Sequence, residues 1–123
     1  MQKNNLVSLL LVFLTSLCFV SCEYDTVEVD KVVIPPDQEI SFSADIAPIF
    51  TSNCVSCHDG GTDPDLQADK AFDALTNGGY INVDVPASSS LYEKLNEGSH
   101  NTRASAAEKQ LILEWITRGA NNN

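Results

Sequence analysis

Apolar positions along this chain fall into one early block and several short stripes. The block runs from Leu6 to Val20 without a charge, and an acidic, proline-containing stretch follows it up to Ile40. Apolar residues then return at helical spacing. Ile46, Ile49 and Phe50 share one face, which predicts a first helix from Ser43 to Asn53. Asp45 can cap that helix, and Pro48 is tolerable only in its first turn. A second, short helix is expected over Asp69 to Thr76, ended by Gly78-Gly79. Leu91, Tyr92 and Leu95 predict a third, capped by Ser88 or Ser89 and closed at Gly98. The last helix is marked best: Ser105-Ala106-Ala107-Glu108 is a capping box, Leu111, Ile112, Trp115 and Ile116 form the stripe, and Gly119 stops it. Asp59 to Pro64 reads as a loop by its turn residues, and Tyr80 to Pro86 as extended chain. The pattern is that of a small all-α domain with long loops.

The early block reads as an export signal. Lys3 gives a short positive start, and the 15 residues from Leu6 to Val20 are fewer than the roughly 20 that a membrane-spanning helix needs. Ser21-Cys22 then resembles the bacterial lipobox, a small residue directly before a cysteine that takes lipid; Phe19 stands where that pattern usually has leucine. Residues 1–21 are therefore expected to be a lipoprotein signal peptide. Residues 22–40 are expected to be a lipidated Cys22 with an acidic tether, and residues 41–123 the domain. Glu23 to Ile40 carries six acids and Pro35-Pro36, which favours an extended course. Val27, Val29 and Val32-Val33-Ile34 offer an alternative, a short edge strand against the domain.

Charge narrows the partners. The chain has seven Lys and Arg against 17 Asp and Glu, a formal net charge of -10. Loss of residues 1–21 removes Lys3 and no acid, leaving six cations against 17 acids, or -11. Nucleic acid needs a basic footprint and is not an expected partner. An acidic surface suits solubility and can steer a basic redox partner.

The chemistry concentrates in Cys54-Val55-Ser56-Cys57-His58, the signature of c-type haem attachment. Each thiol can add across one haem vinyl group, and two intervening residues let both sulfurs reach the same porphyrin edge. His58 is then carried to the iron as its proximal ligand. Cysteine usage agrees: Cys18 lies in the signal, Cys22 takes lipid, Cys54 and Cys57 take haem, and none is left over. Other readings of these residues are weaker. Cys54, Cys57, His58 and His100 number four, but adjacent Cys57 and His58 point apart, unlike structural zinc ligands. A redox dithiol needs a βαβ context, and an iron–sulfur cluster needs four cysteines. A plain Cys54–Cys57 disulfide is the bland alternative. Asp45, Asp59, Asp63 and Asp65 read as cap and loop acids rather than a calcium site. No nucleophile–base pair or phosphate loop is visible, so the chain does not read as an enzyme.

Together, Phe42 to His58, Ser90-Leu91-Tyr92-Glu93-Lys94-Leu95 and Glu114 to Asn122 resemble monohaem cytochrome c domains. More narrowly, they are similar to the small domains of bacterial surface lipoproteins and to planctomycete-type cytochrome c domains. The resemblance implies an all-α fold packed around a covalent haem c, attachment outside the bacterial cytoplasm, and electron transfer to an unidentified redox partner protein. It implies a protein exported and lipid-anchored to a bacterial membrane, facing periplasm or cell surface. With haem in the core, the apo-domain is expected to be poorly folded, and Trp115 to pack on the first helix and a haem edge. Many members of the family place a methionine between the third and last helices. Here the only methionine is Met1, and His100 occupies that region. His/His ligation is the leading reading, against an open or water-bound iron, or another ligand such as a lysine or asparagine. His100 as a solvated loop histidine also stays open. Two functions follow: an electron carrier, or a small-ligand sensor or weak peroxidase with an open iron site, to which Arg103 could contribute.

Overall fold

The computed structural model describes residues 32–123; the expected signal, Cys22 and the acids Glu23 to Asp30 lie outside the described residues. The described chain is helical, with four α-helices joined by turns and loops and no strand among the described residues. Helix α1 is Ala47–Asn53, α2 is Ala71–Asn77, α3 is Ser90–Leu95 and α4 is Ala106–Thr117. Among the described residues no helix is long and apolar enough to cross a membrane.

A single π-helical turn, Phe42–Ile46, leads into α1, and its entry corrects the expected cap. Ser41 holds the cap position: its Oγ accepts from the Ala44 N–H at 3.2 Å. Asp45 answers from inside the turn, its Oδ2 accepting from the Ser41 N–H at 2.8 Å. The two orphan donors are thus satisfied reciprocally, as in a capping box. Pro48 lies in the first turn of α1, where a missing N–H costs nothing.

Packing links the two ends of the described chain. Trp115, 1% exposed, meets Phe42 at 5.3 Å between ring centres and Phe72 at 6.5 Å, and Phe42 meets Phe72 at 5.2 Å. Ile46, Phe50, Ile112 and Ile116 are fully buried around them. The Arg118 guanidinium, paired with Glu114 at 2.9 Å, donates to the carbonyls of Pro35 and Gln38. Asn123 accepts from the N–H groups of Phe42 and Ser43. With Ile40 buried and Ile34 packed on the core, the compact unit reaches back past Ser41 into the expected tether. Val32 and Val33 are exposed, and residues 32–34 form no strand.

Three further expectations shift. Helix α2 starts at Ala71, after a turn at 68–70, rather than at Asp69. Ser89 does occupy the α3 cap position, but it is buried and its hydroxyl bonds Asn82 instead, accepting from the Asn82 N–H at 2.9 Å. Gly98 does not close α3, which ends at Leu95; it opens a 3-10 turn over Gly98–Thr102 at φ 47°.

The α4 capping box forms in full. Ser105 Oγ accepts from the Glu108 N–H at 3.2 Å, and the Glu108 carboxylate accepts from the Ser105 N–H at 2.7 Å. Asn53, at the end of α1, donates to the same carboxylate at 3.1 Å. The Ser105 backbone bond, reinforced by the Ser105 hydroxyl and Asn53, holds the Glu108 carboxyl below its ordinary value against partial desolvation. A lowered folded-state value means the contribution is complete at neutral pH and fades as pH falls through that value. Wild type is therefore expected to lose its thermal advantage over Glu108→Gln between about pH 5 and about pH 3. Midpoints measured across that range check this, and a gap that stays constant with pH would exclude a role for the ionised carboxylate.

Candidate functional site

The cysteine–histidine motif continues α1 by one irregular helical turn. The Cys54 N–H donates to Phe50 O at 2.8 Å, and the N–H groups of Cys57 and His58 both donate to Cys54 O at 3.1 Å. Residues three and four apart on such a turn lie side by side, so the two sulfurs and the imidazole are presented together. Cys54 is half-buried and Cys57 exposed; both are free thiols. Burial pushes the Cys54 thiol above its ordinary value, opposed by the Arg103 guanidinium and reinforced by the Glu108 carboxylate.

The loop after the motif fixes the His58 ring. His58 Nδ1 lies 3.0 Å from the Pro64 carbonyl and 3.3 Å from that of Thr62. Carbonyls only accept, so Nδ1 carries the proton and the Nε2 lone pair is left free. Metal-binding histidines are oriented in this way, through a carbonyl or carboxylate on the other ring nitrogen. Gly60, at φ 98°, makes the reversal that brings the loop back, and the Leu66 N–H closes it on His58 O at 2.9 Å.

Beside the motif lies a cavity of about 530 Å³, within the range of cofactor pockets. Its walls are largely apolar, built from Phe50, Leu66, Tyr80, Leu91 and Leu95. His58 and His100 both line it, with ring centres 6.4 Å apart and planes inclined at 56°. A metal held between two imidazoles needs about 2 Å per bond plus about 1.1 Å from each nitrogen to its ring centre, roughly 6.2 Å between centres. The observed spacing meets that demand. It also lies near the upper end of direct ring contact, roughly 7 Å, so the free Nε2 of His58 is what distinguishes a ligand pair from a packing pair. Among the described residues no three of His, Cys, Asp and Glu gather as ligands of one ion. The arrangement is a pair of imidazoles lining one largely apolar space, which suits a flat macrocycle better than a bare cation.

The expected site residues Cys54, Cys57, His58 and His100 thus come together, with Arg103 on the same wall. Tyr80, from the segment expected to be extended, lines it too. Trp115 corrects one expectation: it packs on Phe42 and Phe72 and does not line the cavity. Lys94 and the Pro64 carbonyl were not legible as site groups. Lys94 could have been suspected from its place on α3 beside the inward-facing Leu91 and Leu95, whereas no pattern in the sequence points to Pro64.

Comparison with known proteins adds no relative: no family model, no curated protein and no solved structure matches this chain.

Covering the apolar walls of a cavity of this size removes them from water and is favourable. If these thiols hold a covalent cofactor, Cys54→Ala/Cys57→Ala is expected to lower the thermal midpoint by at least about 10 °C, the equivalent of about 2 kcal/mol in so small a domain. Far-UV CD melting of the matured protein and the variant measures the difference, and coincident, equally cooperative melts would contradict it.

Proposed function

We propose that this chain is a covalent haem c lipoprotein that transfers electrons at a bacterial cell envelope, with His58 and His100 as the two axial ligands. The observation that carries the reading is the pair of imidazoles, 6.4 Å apart, that line one largely apolar cavity, one of them directly after Cys54-Val55-Ser56-Cys57. The small-domain cytochrome c resemblance of residues 42–122 agrees with it, as does the helical fold.

The bound haem would supply a one-electron redox centre against the apolar walls of the cavity. Cys54 and Cys57 would hold the haem through their two sulfurs, as thioethers, a linkage that involves no net oxidation. His58, with Nδ1 turned to the Pro64 carbonyl, would hold the iron through Nε2, and His100 would supply a second imidazole. Lys94 and Arg103, the two cations lining the cavity, are available to the propionate carboxylates. A histidine in place of methionine lowers the reduction potential. Cys22, outside the described residues, is the proposed lipid anchor, and an unidentified redox protein the proposed partner.

One observation favours a second reading. Arg103, on the cavity wall three residues after His100, could assist peroxide or small-ligand chemistry if the iron position on the His100 side were open.

Protein matured in a host with a cytochrome c assembly system is expected to keep its colour through acid-acetone extraction and to give a c-type pyridine haemochrome. Colourless protein from such a host would end the reading. His100→Ala is expected to convert a low-spin, six-coordinate spectrum to a high-spin one that binds carbon monoxide rapidly when reduced. A wild type that is already high-spin and binds carbon monoxide rapidly would favour the ligand-site reading instead.

A further inference from the structure

His100 rides on a turn with little to hold it. The 3-10 turn Gly98–Thr102 has no buried residue, and its internal bonds are local: the N–H groups of His100 and Asn101 donate to Glu97 O at 3.0 and 3.2 Å, and that of Arg103 to His100 O at 3.0 Å. On its N-terminal side, Lys94 and Glu97 approach only to 3.5 Å and are both largely exposed. Segments with few buried contacts open locally at low cost. One strong contact ties the turn to the core. Lys109, half-buried on the first turn of α4, donates Nζ to Asn101 O at 2.8 Å and to Asn101 Oδ1 at 2.6 Å. Both acceptors belong to the residue next to His100. The helix that carries Lys109 is anchored in turn by Ile112, Trp115 and Ile116.

We propose that Lys109 is a positioning residue that latches the His100 turn against α4 and so sets how readily the iron position facing His100 opens. The inference rests on the proposed haem ligation by His100. Lys109 touches neither ring; it acts through Asn101. Its ammonium makes two charge-assisted bonds, the strong class among exposed contacts, while its aliphatic stem lies along α4. Removing the ammonium and keeping the stem therefore isolates the latch. Without it, His100 leaves the iron more often, and an exogenous ligand that must wait for that event binds faster.

The test uses the matured full-length holoprotein. Lys109→Met is expected to raise the carbon monoxide association rate of the reduced protein by about 10-fold, the effect of losing its pair of exposed charge-assisted bonds. Amide hydrogen exchange at His100, Asn101 and Arg103 is expected to quicken by a similar factor, a readout independent of the haem. Lys109→Arg, which keeps a donor, should stay within about 3-fold of wild type. In a His100→Ala background, Lys109→Met should change carbon monoxide binding no further, because coupled residues are not additive. If His100→Ala alters the spectrum while Lys109→Met leaves both rates within 2-fold of wild type, the latch is wrong and the ligation stands. A spectrum unchanged by His100→Ala overturns both, and an equal rate increase from Lys109→Met in that background shows a general loosening and overturns the latch.

Discussion

The packing of Trp115 against Phe42 and Phe72 is the contact on which the rest of the domain depends. It joins the turn that precedes α1, the body of α2 and the C-terminal half of α4. The indole N–H donates to Asn121 O at 3.0 Å, so the ring is buried without an orphaned donor. A domain this small buries too little surface for redundancy, and one aromatic cluster has to set the relation between elements. The cavity is lined by the far end of α1 with the motif that follows, by the turn that precedes α4, and by α3. Asn53 and Glu108 join those ends directly, so the aromatic cluster and this polar bond together decide how far apart His58 and His100 stand.

The two histidines are held by different means. His58 sits on a turn continuous with a helix, and its ring is fixed by a backbone carbonyl that a loop delivers from six residues on. His100 sits on an exposed turn whose strongest tie to the core is a lysine side chain. A carbonyl on the far ring nitrogen sets both tautomer and orientation, while a lysine bonded to the neighbouring residue sets only position. On the proposed ligation, that asymmetry assigns the permanent ligand to His58 and the exchangeable one to His100.

How much of this was legible in the sequence follows the range of the interactions. The α4 capping box and the stripe of Ile112, Trp115 and Ile116 are local and periodic, and both stand where the pattern placed them. Ser41 displaced Asp45 as cap because a π-turn begins one residue after Ser41, a register that helical spacing does not announce. Ser89 kept its position and lost its role, because Asn82, seven residues earlier, competes for the hydroxyl. The motif residues were legible because covalent chemistry fixes their spacing. The Pro64 carbonyl was not, since any residue can supply one and only the closed loop selects it. Lys109 reads in the sequence as an exposed helix lysine, and its acceptors are defined only once the 98–102 turn is built.

Charge shows how a site can differ from the chain that holds it. The whole chain carries -10, yet the charged residues lining the cavity are Lys94, Arg103 and Asp63, two cations and one acid. Acids elsewhere on the surface act through solvent and are screened beyond about 10 Å at ordinary ionic strength. Groups on the cavity wall act across less water and are screened less. The local field is therefore set by the lining residues, and it is mildly positive where the global field is strongly negative. A redox group in this cavity would be tuned chiefly by its ligands and by Lys94 and Arg103, while the distant acids would act on any approaching partner through their summed charge. Substituting surface acids should thus alter association rates more than the potential, because only the former depends on the summed charge.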